Sequence, residues 1–253
     1  GADGADGADD LLSDAQLTDA ALRVRYPGKS TTTYAALQAC AFEEVNLELV
    51  VALLKWMCSP PQQANNPGSI LVFLPGFADI RRVFEAVQST PFFAGGTQRW
   101  SSGEEWTGTS KVMVLPLHGS LTGHEQARVF VRPPQGTIKI VLSTNLAETS
   151  ITIDDVVWVV DGGRMQEMQH DPGKNISSLA DCWISRANGL QRRGRAGRVQ
   201  PGICFHLVSS HRWRHLLSHP IPEIFRVPLE QIFLRIKTLR FLEVEAAKAA
   251  KAA

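Results

Sequence analysis

Five apolar runs alternate with stretches of helical periodicity, and this alternation restricts the chain to one class of fold. The runs occupy residues 69–74, 111–117, 138–143, 156–160 and 203–208. Each is nearly continuous in hydrophobicity, which fits strands buried on both faces of a parallel sheet. Helical patterns lie at 31–42, 45–57, 78–88, 122–131 and 183–190. In the second of these, Val45, Leu47, Leu49, Val50, Leu53, Leu54 and Met57 give helix periodicity. Thr122 is a suitable N-cap for the helix that follows it. Strands alternating with helices predict an α/β fold, a parallel sheet with helices on both faces. Ligands of such sheets collect at the carboxyl ends of the strands. The functional segments are therefore expected in loops just after strands.

Composition narrows the partners. The 253 residues are 44% hydrophobic and carry a formal net charge of +1. Affinity for nucleic acid must then come from local patches rather than from bulk charge. The four cysteines, Cys40, Cys58, Cys182 and Cys204, have no Cys-x-x-Cys spacing. Reduced thiols in an intracellular protein are expected, and no zinc site. No apolar run is long enough for a bilayer, so no membrane partner is expected. Three copies of Gly-Ala-Asp at the start and a terminal Ala-Ala-Lys-Ala-Ala-Lys-Ala-Ala read as artificial or poorly ordered ends.

The densest chemistry lies at Gln191-Arg192-Arg193-Gly194-Arg195-Ala196-Gly197-Arg198. Guanidiniums grip phosphate through paired hydrogen bonds, and the glycines allow a tight turn. Placed between a helix and a strand, the cluster reads as a positioned anion site. Three other features carry less. Gly28-Lys29-Ser30 resembles the end of a phosphate-binding P-loop but lacks the upstream glycine and strand. His211, His215 and His219 are spaced for one helix face, without the carboxylate of a helical metal motif. A loop at 91–110 with Trp100 and Trp106 is either a surface insertion or a docking loop.

Taken in order, Leu71-Val72-Phe73-Leu74-Pro75-Gly76, Ser143-Thr144-Asn145-Leu146-Ala147-Glu148-Thr149-Ser150-Ile151-Thr152-Ile153-Asp154 and the glutamine-led arginine cluster resemble motifs IV, V and VI of DEAH-box RNA helicases of superfamily 2. The resemblance runs from about residue 45 to about residue 240. The initial Gln191 argues against the DEAD-box group, and the motif V residues argue against viral helicases. The resemblance implies a RecA-like parallel sheet, the second of two such lobes. It divides the chain into a disordered or artificial segment 1–20, the lobe at 21–222, and the lead into a helical, winged-helix region at 223–253.

The resemblance also implies roles. Arg195 and Arg198 reach the γ-phosphate of ATP, and Gln191 holds the attacking water or the phosphate. Phe130 stacks on the base, Thr152 and Asp154 lie at the ribose, and Ser150 lies near the γ-phosphate. Gly119, Ser120, Thr144 and Asn145 contact the backbone of single-stranded RNA. Arg192 and Arg193 are left to packing or carboxylate pairing. Residues 164–180 fall where the family has a β-hairpin. The P-loop, the DEAH box and the Mg2+ ligands belong to the first lobe, so this chain alone is expected not to hydrolyse ATP. Expected partners are RNA, that first lobe and an accessory protein. The alternative is a non-catalytic scaffold of helicase shape that binds RNA or protein.

Overall fold

The computed structural model describes residues 14–40, 44–93, 112–149, 151–171, 173, 176–198 and 200–252. The loop tryptophans Trp100 and Trp106, and Ser150, lie outside the described residues. The elements, in chain order, are α1 (Asp19–Arg25), α2 (Thr31–Ala39), α3 (Leu47–Met57), α4 (Pro60–Asn65), β1 (Ser69–Phe73), α5 (Phe77–Ser89), β2 (Val112–Leu117), α6 (Gly123–Ala127), β3 (Ile138–Ser143), α7 (Leu146–Thr149), β4 (Val156–Asp161), β5 (Arg164–Asp171), β6 (Ile176–Trp183), α8 (Arg186–Arg193), β7 (Ile203–His206), α9 (Ser210–His215) and α10 (Glu230–Ala252).

The chain divides into two compact units. One holds residues 1–165 and 183–219; the other holds 166–182 and 220–253. The first is built on a five-stranded sheet in the order β2-β3-β1-β4-β7. Every pairing is parallel, giving the RecA-like α/β sheet expected from the sequence.

Alternate residues along each strand face opposite ways, as the pleat requires. Ile70, Val72, Val114, Ile140 and Leu142 enter one core, roofed by α3 through Val50 and Leu54 and by α5 through Ile80 and Val83. Leu71, Phe73, Leu115, Val141 and Val159 enter a second core on the opposite face. That face is covered by short segments, through Val129, Ala147, Ile151, Ile153 and Ala196. Complete burial of such an aliphatic side chain contributes roughly 1.5–3 kcal/mol, so these anchors fix the segments that carry them.

Several boundaries move from their sequence-based positions. The helix expected at 122–131 ends at Ala127, and Arg128–Phe130 forms a 3-10 turn. Thr122 caps it in a full capping box with Glu125. The helix expected at 183–190 lies at Arg186–Arg193, because Trp183 completes β6 and Ser185 supplies the cap. Gln191, Arg192 and Arg193 therefore belong to the last turn of a helix rather than to a junction after it. Gly28-Lys29-Ser30 is a helix entry. Gly28 has φ 75°, and Ser30 Oγ accepts from Thr33 N at 3.2 Å. His211 and His215 share α9 with ring centroids 4.4 Å apart, whereas His219 lies beyond its end.

In the second unit β5 and β6 pair as a two-stranded sheet. Arg226 ties this ribbon to the chain before α10. Its guanidinium meets Glu167 at 3.3 Å, and its carbonyl accepts from His170 N at 3.1 Å. Phe233, Leu234, Leu239 and Phe241 on α10 are exposed. Among the described residues no helix is long and apolar enough to cross a membrane.

Candidate functional site

The arginine cluster separates into two environments. Helix α8 is held at its start by a capping box between Ser185 and Asn188. Its periodicity turns Arg192 into the protein, where it is 0% exposed. Arg192 Nε meets Glu148 Oε2 at 3.1 Å, and Nη1 meets Asp161 Oδ1 at 2.7 Å. Nη1 also donates to the Arg164 carbonyl at 3.2 Å, and the guanidinium lies 4.9 Å from the Phe73 ring centroid. Asn188 Nδ2 donates to the other Glu148 oxygen. Asp161 also contacts His206 Nδ1 at 2.9 Å and accepts from Gly163 N at 2.9 Å. Burial alone would raise the Asp161 pKa, but Arg192 and His206 outweigh it and hold the carboxyl below its ordinary value. The carboxylate pairing anticipated for Arg192 is thus present, and Arg193 is exposed.

Arg195 and Arg198 follow in the turn after α8. Arg195 is 9% exposed and donates to two backbone carbonyls, Ile151 at 2.9 Å and Glu148. Burial, with the charge of Arg198 added, holds its guanidinium below the usual pKa. Arg198 is exposed and donates from Nη1 to Thr152 Oγ1 at 2.7 Å. The turn carrying both arginines is thereby clasped to the 151–154 segment. In that segment Ile151 and Ile153 are buried while Thr152 and Asp154 are exposed. An extended segment laid on a sheet face gives this alternation. Gln191 is exposed on α8.

Phe130 ends the 3-10 turn and is 52% exposed, while its neighbour Val129 is sealed in the core. Phe130 leads toward β3, Thr152 and Asp154 toward β4, and Arg195 and Arg198 toward β7. The expectation that every motif follows a strand thus fails for this group. These residues sit on crossover segments packed across one face of the sheet, anchored through Val129, Ile151, Ile153 and Ala196.

The expectation does hold for the other group. Gly119 and Ser120 follow β2, and Thr144 and Asn145 follow β3, its neighbour in the sheet. Thr144 N donates to the Leu117 carbonyl at 3.1 Å, joining the two loops. Ser120 Oγ shares a 2.7 Å hydrogen bond with His118 Nδ1. His118 is buried, which lowers its pKa. Gly119, Ser120 and Asn145 are exposed.

Four supporting residues were not singled out from the sequence: Lys139, Asp155, Asp161 and His118. A charged residue inside the run 138–143 was the available signal for Lys139. Ionised groups within a buried strand need partners.

Comparison with known proteins agrees with this architecture. The model of the helicase conserved C-terminal domain matches residues 48–200. DHX57 of Mus musculus is 48% identical over 231 residues, covering 91% of this chain and 16% of DHX57. The ATP-dependent DNA/RNA helicase DHX36 of Homo sapiens is 41% identical over 219 residues, covering 87% of this chain and 20% of the relative. The crystal structure of the E. coli DExH-box NTPase HrpB superposes with TM-score 0.58 at 33% identity, covering 73% of this chain and 20% of HrpB. The chain is therefore a RecA-like lobe of a superfamily 2 helicase. It belongs to the helicase C-terminal domain family, within the DEAH-box group. It spans a fifth or less of the length of these relatives.

Proposed function

We propose that the chain is the C-terminal lobe of an ATP-dependent RNA helicase, supplying an arginine grip on the triphosphate and a backbone grip on single-stranded RNA. The observation that carries this reading is the clasp of the arginine turn to the 151–154 segment. It leaves the Arg198 guanidinium exposed on Thr152, in the segment that also exposes Asp154. Phe130, whose neighbour Val129 shares the core face of Ile151, Ile153 and Ala196, exposes an aromatic ring on which any base can stack.

In this reading Arg198 meets charge on the γ-phosphate, and Gln191 orients the attacking water. A guanidinium at the transferring phosphoryl group accelerates such reactions by roughly 10³–10⁵. Arg195, its guanidinium fixed by two carbonyls, adds its charge beside that of Arg198. Asp154 takes the ribose hydroxyls. Mg2+, when bound, neutralises phosphate charge, and its ligands are assigned to the first lobe. Gly119, Ser120, Thr144 and Asn145 bind the sugar-phosphate chain, a contact that carries no sequence information. Hydrolysis releases the arginine grip, and the cleft between lobes is the two-state element that moves this backbone grip along RNA.

In the full-length protein, Arg198→Ala is expected to abolish RNA-stimulated ATP hydrolysis while RNA affinity stays within about two-fold, since the arginine touches only the developing charge of the reaction. Unchanged turnover would remove the assignment. A non-catalytic scaffold would show no RNA-stimulated hydrolysis in the unmutated protein either.

A further inference from the structure

Lys139 is the second residue of β3, on the sheet face whose next position is taken by Val141. It is 0% exposed. Moving an ammonium out of water is costly, and an apolar side chain of similar volume would often serve stability as well. Its contacts give a reason for the charge. Nζ donates to the Val129 carbonyl at 2.8 Å and to the Val131 carbonyl at 3.1 Å, and pairs with Asp155 Oδ1 at 2.9 Å. Three donors meet three acceptors, the full capacity of an ammonium.

The two carbonyls belong to the residues on either side of Phe130, so the ammonium holds the peptide that enters Phe130 and the one that follows Val131. Asp155 is held in turn. Its Oδ2 accepts from Ser69 Oγ at 2.7 Å, and its carbonyl accepts from Ser69 N at 2.8 Å. Asp155 directly follows Asp154. One buried bridge thus joins the turn carrying the exposed ring to the residue beside the exposed carboxylate. A pocket of about 630 Å³ opens beside the bridge, lined in part by Pro133, Pro134, Thr137, Lys139 and Asp155, while Val129 packs the turn from the core side.

We infer that Lys139 is a positioning residue for nucleotide binding, setting Phe130 against Asp154 so that base and ribose are held together. The inference rests on the roles proposed above for those two residues. Lys139 touches no substrate; it acts through the turn.

The test uses the full-length protein and steady-state ATP hydrolysis at saturating RNA, with RNA affinity measured alongside. Lys139→Met is expected to raise KM for ATP about ten-fold while kcat and RNA affinity change less than about two-fold, the pattern of lost orientation in binding rather than in chemistry. Phe130→Ala is expected to raise KM to a similar degree. In the Phe130→Ala background, Lys139→Met should add nothing, since residues acting through one contact are not additive. A KM effect of Lys139→Met that persists undiminished in that background overturns the inference, as does a loss of RNA affinity and kcat together with KM. If Phe130→Ala raises KM and Lys139→Met does not, the inference alone falls. If Phe130→Ala itself leaves KM unchanged, the base-stacking reading falls and takes the inference with it. Should Lys139→Met fail to fold, Asp155→Asn keeps the two carbonyl bonds and weakens the anchor. It is expected to raise KM about three-fold, with the same dependence on Phe130; an unchanged KM overturns the inference.

Discussion

Two arginines of one motif can matter to stability to very different degrees, and burial decides how much. Arg192 neutralises Glu148 and Asp161 in the interior, whereas Arg198 stands at the surface and donates to the Thr152 hydroxyl. Replacing Arg192 by Ala leaves two buried carboxylates without their cation. The expected cost is about 3–5 kcal/mol, as for other buried pairs broken on one side. Arg198→Ala removes an exposed contact and should stay within about 0.5 kcal/mol. Urea unfolding of the two variants tests this, and equal losses would contradict the division. Arg192→Lys should fall between them, because one ammonium cannot span both carboxylates as the fork does. Sequence alone brought all four arginines to one place. The family resemblance set Arg192 and Arg193 apart for packing or carboxylate pairing, but the sequence could not name the partners, because Glu148 and Asp161 lie 44 and 31 residues from Arg192.

At the scale of elements, the parallel sheet was legible because strands buried on both faces announce themselves as unbroken apolar runs. Run 69–74 became Ser69–Phe73 and run 138–143 became Ile138–Ser143. The crossover segments were less legible. Arg128–Phe130 has the apolar spacing of a helix yet forms a 3-10 turn, whose Val129 carbonyl, with that of Val131 just beyond the turn, is taken up by Lys139 from β3. Nothing local predicts such a partner. The same dependence on distant backbone governs the return from the arginine turn to β7. A Cβ at Gly202 would run into the carbonyls of Ala196 and Val157. Both are backbone atoms, one beside Arg195 and one within β4, so neither yields by a rotamer change. Gly202→Ala should destabilise the chain by about 1–3 kcal/mol, the usual penalty of overpacking. It should also lower ATP hydrolysis in the full-length protein more than RNA affinity, because Ala196 moves with Arg195. Wild-type unfolding and turnover in this variant would show that the turn tolerates displacement.

For the whole molecule, the division of labour across the sheet makes a quantitative statement about RNA. The groups proposed to hold RNA are two hydroxyls, an amide and a glycine backbone at the carboxyl ends of β2 and β3. The arginines belong to the other set, anchored across one sheet face, and the net charge of the chain is +1. Binding through neutral donors releases few counterions, whereas each Lys or Arg that neutralises a phosphate of single-stranded RNA contributes about −0.7 to the slope of log K against log salt. Thr144→Ala and Asn145→Ala in the full-length protein should therefore weaken RNA binding, each by about 1 kcal/mol as for an ordinary hydrogen bond. The salt slope should not change. RNA affinities from 50 to 300 mM salt, compared as parallel lines, are the measurement. A slope that falls by about 0.7 in either variant would mean that these loops work by holding a cation against phosphate, and the grip would have to be reassigned to charged side chains.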